Sequence, residues 1–147
     1  LKKKAMTKWI DREKDCEFNI ADYPEAFGFI YCIHYSNGKK YLGKKDLFDK
    51  ITLPKNTNRK KKEVFLREKR DWKTYLGSTE MSKGLTATKK EVIAIANTKR
   101  ALTYLETFHI LRVDGIFNEN YLNKNAGGVY FDNVFEPLKE PLRREYR

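Results

Sequence analysis

Apolar positions cluster in three stretches of the chain, and each stretch has its own spacing. In 28-GFIYCIHYSNGKKYLGKK-45 two runs rich in aromatic and β-branched residues flank Asn37-Gly38, which predicts a hairpin with strands at 28–35 and 39–45. The short apolar run 91-EVIAIA-96 suits a buried strand. The third stretch, TKRALTYLETFHILRV, reads as a helix capped by Asn97 or Thr98 and ended by Gly115. In it Ala101, Leu105, Phe108 and Leu111 or Arg112 recur at three- to four-residue spacing, giving one apolar face. Elsewhere the pattern weakens. Residues 1–26 read as an N-terminal arm with one short helix ending before Pro24. Residues 46–70 hold few apolar anchors and a run of cations, and read as an inserted, partly mobile segment with a helix over Glu63–Lys73. A further short helix is expected at Glu80–Leu85. The apolar patch in VYFDNVF is expected to pack back on the domain, and residues 136–147 read as a tail.

The hairpin loop decides where two phenols point. A two-residue Asn37-Gly38 loop pairs His34 with Tyr41 and Tyr31 with Lys44, which sends the tyrosines to opposite faces. A three-residue loop, Ser36-Asn37-Gly38, puts Gly38 in the left-handed conformation of a G1 bulge. Ile33 then faces Tyr41, Tyr31 faces Gly43, and both phenols share a face. The other face carries Ile30, Cys32 and Leu42. The sequence permits either loop; only the odd one makes a tyrosine pair.

Charge changes the picture next. The 147 residues carry a formal charge of +11 and a pI near 9.6, which favours a polyanionic partner. The length suits a single domain with a sizeable core. Cys16 and Cys32 show no metal-ligand spacing and no paired framework, as expected in a reducing compartment. No apolar run approaches the roughly 20 residues of a membrane span, and LKKKAMTKW lacks the apolar region of a signal peptide. These features predict a cytoplasmic, nucleic-acid-facing chain.

Gly28-Phe29-Ile30-Tyr31, followed after nine residues by Tyr41-Leu42-Gly43, resembles the signature hairpin of the GIY-YIG nuclease superfamily. Phe29 stands where that family has glycine. Glu106 inside the last main helix (YLETFHIL) and Asn123 after it (NYLNKNAGG) match in order, so the likeness spans about residues 27–130. The layout GKKYLGKK, a basic insertion, then DWKTYLGS is most similar to members found in bacteriophages. The resemblance implies an α+β fold, a small three-stranded antiparallel sheet flanked by helices, over residues 27–135. It also implies DNA phosphodiester hydrolysis with Mg²⁺ (or Mn²⁺), by an enzyme of the phage homing kind. The alternative is a catalytically silent nucleic-acid-binding module on the same fold.

By that resemblance Tyr31 is the base, Tyr41 its hydrogen-bonding partner, Glu106 the metal ligand, and Asn123 the group that orients the metal or the scissile phosphate. Glu106 has no Lys or Arg three or four residues away, so an intrahelical ion pair does not explain it. A single carboxylate suffices for Mg²⁺, which keeps most of its waters. Most relatives place a phosphate-holding arginine on the helix after the second strand, where this chain has its insertion. Lys45, which has the parity of Tyr41, is the first choice for that cation; Arg70 is the second, and Lys44 also follows the strand. Tyr75 and Ser78 are expected to line the same cleft, and Arg59, Lys60, Lys61 and Lys62 to contact DNA backbone non-specifically. His34 and His109 read as packing residues. With most of the chain spent on this fold, little remains for a dedicated recognition domain, and a separate DNA-reading partner is one expectation.

Overall fold

The computed structural model describes residues 7–53, 63–68, 70–77 and 82–126, with backbone alone at 49–53, 63–68 and 70. In chain order the elements are β1 (Trp9–Asp11), β2 (Cys16–Glu17), β3 (Gly28–Tyr35), β4 (Lys40–Asp46), β5 (Phe48–Leu53), β6 (Glu63–Glu68), β7 (Ala87–Ala96) and α1 (Lys99–Arg112). Short 3-10 turns lie at Ile20–Asp22 and Arg70–Lys73.

Five strands form one sheet in the order β2-β1-β7-β3-β4, and β5 pairs with β6 in a separate hairpin. The three-stranded antiparallel unit expected from sequence is present as β7-β3-β4. It is extended by β1, which runs parallel to β7, and by β2, so the sheet is mixed rather than purely antiparallel. This corrects the strand count, and the short helix expected before Pro24 is present among the described residues as the 3-10 turn Ile20–Asp22. Trp9 and Asp11 are buried on one face of β1, and the Trp9 indole donates to Trp72 O at 2.6 Å. A three-residue strand becomes stable because β7 supplies its ladder.

β3 lies between two partners, and all its residues but His34 are buried. Its odd-numbered side chains, Phe29, Tyr31, Ile33 and Tyr35, join Trp9, Phe18, Trp72 and Val92 in an aromatic core. Its even-numbered ones meet α1: Ile30 packs with Leu102 and Ala96, and Cys32 with Leu42 and Ile110. Thr98 caps α1, its hydroxyl accepting from Ala101 N at 3.0 Å.

The face that α1 buries is rotated from the expected one. Leu102 and Ile110 are fully covered, whereas Phe108 and Leu111 are exposed. α1 has apolar residues on several sides, and the sheet residues Ile30, Cys32 and Leu42 decide which side docks. The helix expected over Glu63–Lys73 is instead β6 and the 3-10 turn. Ile51 pairs with Phe65 and Thr52 with Val64, residues that favour a pleated strand. Of the short helix expected at Glu80–Leu85, residues 80 and 81 lie outside those described; Ser82 is in 3-10 conformation and a turn follows, Leu85 N donating to Ser82 O at 3.0 Å. The VYFDNVF patch also lies outside them.

Candidate active site

The hairpin loop has three residues. Gly38 takes φ +82°, Gly38 N donates to Tyr35 O and Tyr35 N donates to Lys39 O, both at 2.9 Å. Ile33 therefore pairs with Tyr41 and Tyr31 with Gly43, and both phenols stand on one sheet face. Their ring centroids are 6.1 Å apart. Gly43 is dictated by this pairing, since a Cβ there would meet the Tyr31 hydroxyl and lie 2.5 Å from Cζ.

Tyr75 completes the cluster. Its ring meets that of Tyr31 edge-on at 5.8 Å. Tyr35 Oη donates to Leu76 O at 3.3 Å, which fastens the same loop to the sheet. Tyr31 is 1 % exposed, and burial drives its pKa far up, with Tyr75 and Tyr41 adding to the effect. It is held as a neutral phenol. Tyr41 is only partly buried.

β4 continues to Asp46, so the parity of Tyr41 extends to Lys45. The Lys45 ammonium lies 4.5 Å from the Tyr75 ring centroid and 3.0 Å from Asp71 Oδ2. Lys44 points to the other face, where its ammonium donates to Thr103 Oγ1 on α1 at 3.0 Å.

β4 is the edge of the sheet, and in an antiparallel pair alternate residues turn their backbone groups outward. Lys40, Leu42 and Lys44 do so here. Lys40 N donates to Asn120 O and Leu122 N to Lys40 O, both at 2.8 Å. Leu42 N donates to Asn123 Oδ1 at 3.0 Å, and Asn123 Nδ2 donates back to Leu42 O at 2.7 Å. Beside Lys44 lies Glu106, whose carboxylate is near enough for the Lys44 charge and backbone to lower its pKa against the larger rise from burial.

Asn123 is thus a buried peg that prolongs the ladder with its amide, and both ends of that amide are engaged with β4. Sequence reasoning singled out the residue but missed this contact, which no local pattern encodes. Glu106 lies within the buried stripe of α1, between Leu102 and Ile110, rather than at its flank. Burial raises its pKa, and Lys44, through its charge and its backbone, opposes the rise. The helix therefore faces the hairpin from the side opposite the phenols. Tyr31, Tyr41, Tyr75 and Lys45 form one group; Glu106, Lys44 and Asn123 form another; the edge strand joins them.

A half-buried carboxylate oxygen beside open strand edge fits a hard divalent cation that keeps its own waters. A second set of donor atoms, from Cys32, His34 and Glu91, lies within 4.8 Å of one another. It does not fit Mg²⁺, because it mixes sulfur and nitrogen with oxygen. The Glu91 oxygens are also taken: Arg12 donates to both, at 3.0 and 2.9 Å, and Lys89 approaches to 3.6 Å. This Arg12–Glu91–His34 cluster went unread in the sequence, since only the β1–β7–β3 order brings its members together. His109 stacks edge-on with Phe108 at 5.4 Å, and burial lowers its pKa, as do Arg112 and Arg12. The Arg70 side chain, Ser78 and Arg59–Lys62 lie outside the described residues.

The family model described as "Putative endonuclease segE, GIY-YIG domain" matches residues 9–126, a span that opens at β1 and closes just after the Asn123 peg. No curated protein and no solved structure matches the chain.

Proposed function

The chain belongs to the SegE GIY-YIG domain family, and on that premise we propose that it is a metal-dependent DNA endonuclease whose site straddles β4. The observation that carries this reading is the register of the hairpin. It sets two phenols on one sheet face, Tyr41 on the edge strand and Tyr31 beside it on β3, while the Glu106 carboxylate lies near Lys44 of that edge strand.

In this reading a divalent cation on Glu106 would supply Lewis-acid neutralisation of phosphate charge. The remaining steps belong to the chain. Tyr41, the less buried of the two phenols, is the base in this reading; as the phenolate it takes the proton from the attacking water, whose oxygen bonds to phosphorus while the bond to the leaving deoxyribose oxygen breaks and that oxygen takes a proton from solvent. Tyr31, buried and neutral, orients Tyr41 and Tyr75, so the roles expected from sequence are exchanged within the pair. The Lys45 ammonium offsets negative charge on that face. Asn123 acts by holding β4 straight. Arg70 and Ser78 remain further candidates for the phosphate contact, and Arg59, Lys60, Lys61 and Lys62 for DNA backbone. The phage-like layout of GKKYLGKK and DWKTYLGS supports an enzyme of the homing kind that works in a host cytoplasm with a separate DNA-reading partner. Among the described residues no helix is long and apolar enough to cross a membrane.

A silent DNA-binding module on the same fold is favoured by one observation, the sealing of Tyr31 from solvent. Plasmid nicking with Mg²⁺ and with EDTA, for wild type and Glu106→Ala, separates the two. Nicking by wild type with Mg²⁺ alone, lost in the variant while EDTA gel shifts persist, supports the enzyme. Nicking that survives Glu106→Ala would sink the assignment.

A further inference from the structure

A cleft of about 430 Å³ opens on the α1 side of the sheet, beside the last turn of the helix. Its floor is apolar, made by Cys32, Leu42 and Ile93, and the flat side chains of His109 and Tyr121 line it. Arg12, Lys40 and Arg112 reach it from the turn after β1, the start of β4 and the end of α1. Among the described residues lining the cleft there is no Asp or Glu.

The cations are set in place before any ligand arrives. Arg12 is aimed by its two bonds to Glu91, which His34 also contacts at 2.5 Å. A guanidinium has five N–H donors, so these bonds do not exhaust it. The Lys40 ammonium stands 5.9 Å from the Tyr121 ring centroid. The fields of Arg12 and Arg112 both reach His109 and lower its pKa, after the larger effect of burial. Three cations on a concave wall concentrate positive potential. The volume falls in the range of small-ligand sites and exceeds what a bare phosphate fills.

We propose that this cleft binds one nucleotide unit of a DNA strand, its phosphate held by Arg12, Lys40 and Arg112 and its sugar or base set against Tyr121 and His109. The proposal rests on the nuclease reading above, and it adds a second point of attachment on the side of β4 away from the tyrosine pair. DNA held there and at the phenols would grip the edge strand from both faces.

Binding of a labelled 20-bp duplex to the full chain, in EDTA to prevent cleavage, is measured across salt concentrations. The chains compared are wild type, Lys40→Ala/Arg112→Ala, Lys40→Arg/Arg112→Lys, and Lys83→Ala/Lys99→Ala as a charge-matched control. The cleft variant should lose up to about 0.9 from the slope of log affinity against log salt, the value for the one phosphate the cleft holds. The charge-conserving variant should keep the slope, and the control should change it less than half as much. An unchanged slope in the cleft variant, or an equal loss in the control, overturns the proposal. Calorimetry with thymidine 5′-monophosphate separates a strand from a free nucleotide. Nucleotide binding that the cleft substitutions abolish while duplex binding is untouched would make this a small-molecule site and also overturn the proposal. If wild type nicks plasmid with Mg²⁺ but the slope is unchanged, the cleft alone has failed. If wild type neither binds nor nicks DNA, the nuclease reading has failed.

Discussion

Asn123→Ala should destabilise the fold before it touches chemistry. Asn123 is 5 % exposed and Leu42 is 4 % exposed, so the two bonds between them are shielded from water. Each bond contributes about 0.5–1.5 kcal/mol net, and a buried group stripped of its partner costs about 1–3 kcal/mol. Losing both contacts and leaving Leu42 N–H and C=O unpaired should therefore cost about 2–4 kcal/mol, allowing for some entry of water. For a domain of this size that lowers Tm by roughly 5–15 °C. Asn123→Asp should not rescue it, because the second carboxylate oxygen would face the Leu42 carbonyl. Circular dichroism melts at neutral pH give the shift, and hydrogen exchange should show faster loss of the Leu42 amide proton. Cleavage measured well below the variant's Tm gives the counter-test. A Tm within about 1 °C of wild type, together with abolished cleavage, would refute the peg and return Asn123 to the substrate.

Gly43→Ala should destabilise by about 1–3 kcal/mol, because the new methyl overlaps the Tyr31 phenol; an unchanged urea midpoint would contradict the packing described. Lys90 is fully buried with its ammonium 4.2 Å from the Trp9 ring centroid, and burial lowers its pKa to about 8. Between about pH 8 and the unfolded value near 10.4 the unfolded chain binds more protons, so stability should rise with pH in that window. Urea midpoints across that range should show the rise in wild type and not in Lys90→Met. Lys45→Ala should slow single-turnover cleavage on the order of 10²-fold, and Lys44→Ala far less, since only Lys45 shares the face of Tyr41; the reverse order would relocate the phosphate contact.

The parts legible in sequence were those set by neighbours along the chain. Asn37-Gly38 places the hairpin and leaves two loops open, of which the three-residue one pairs the tyrosines, and Asn97-Thr98 marks the start of α1. EVIAIA marks the most buried part of β7, though not its full length. The rest depends on partners distant in sequence. Nothing in Trp9-Ile10-Asp11 announces a strand until β7 offers an edge. The docking face of α1 is chosen by Ile30, Cys32 and Leu42. Tyr31 and Tyr41 were readable as a pair, because parity is local. Their separation from Glu106 by the thickness of the sheet was not, because it depends on which face the helix takes.

The strand order also governs when the sheet can close during synthesis. β7 sits between β1 and β3 yet is the last strand of the sheet to be made. Until Ala96 has left the ribosome, the hairpin has one unmet edge and β1 has no parallel neighbour. Bringing Trp9 beside Lys90 closes a long loop, a slow step that local contacts cannot assist. Glu106 and Asn123 emerge later still. A nascent chain therefore carries both phenols before Glu106 and the Asn123 peg, and on the nuclease reading proposed above cutting waits until residues 9–126 have been made.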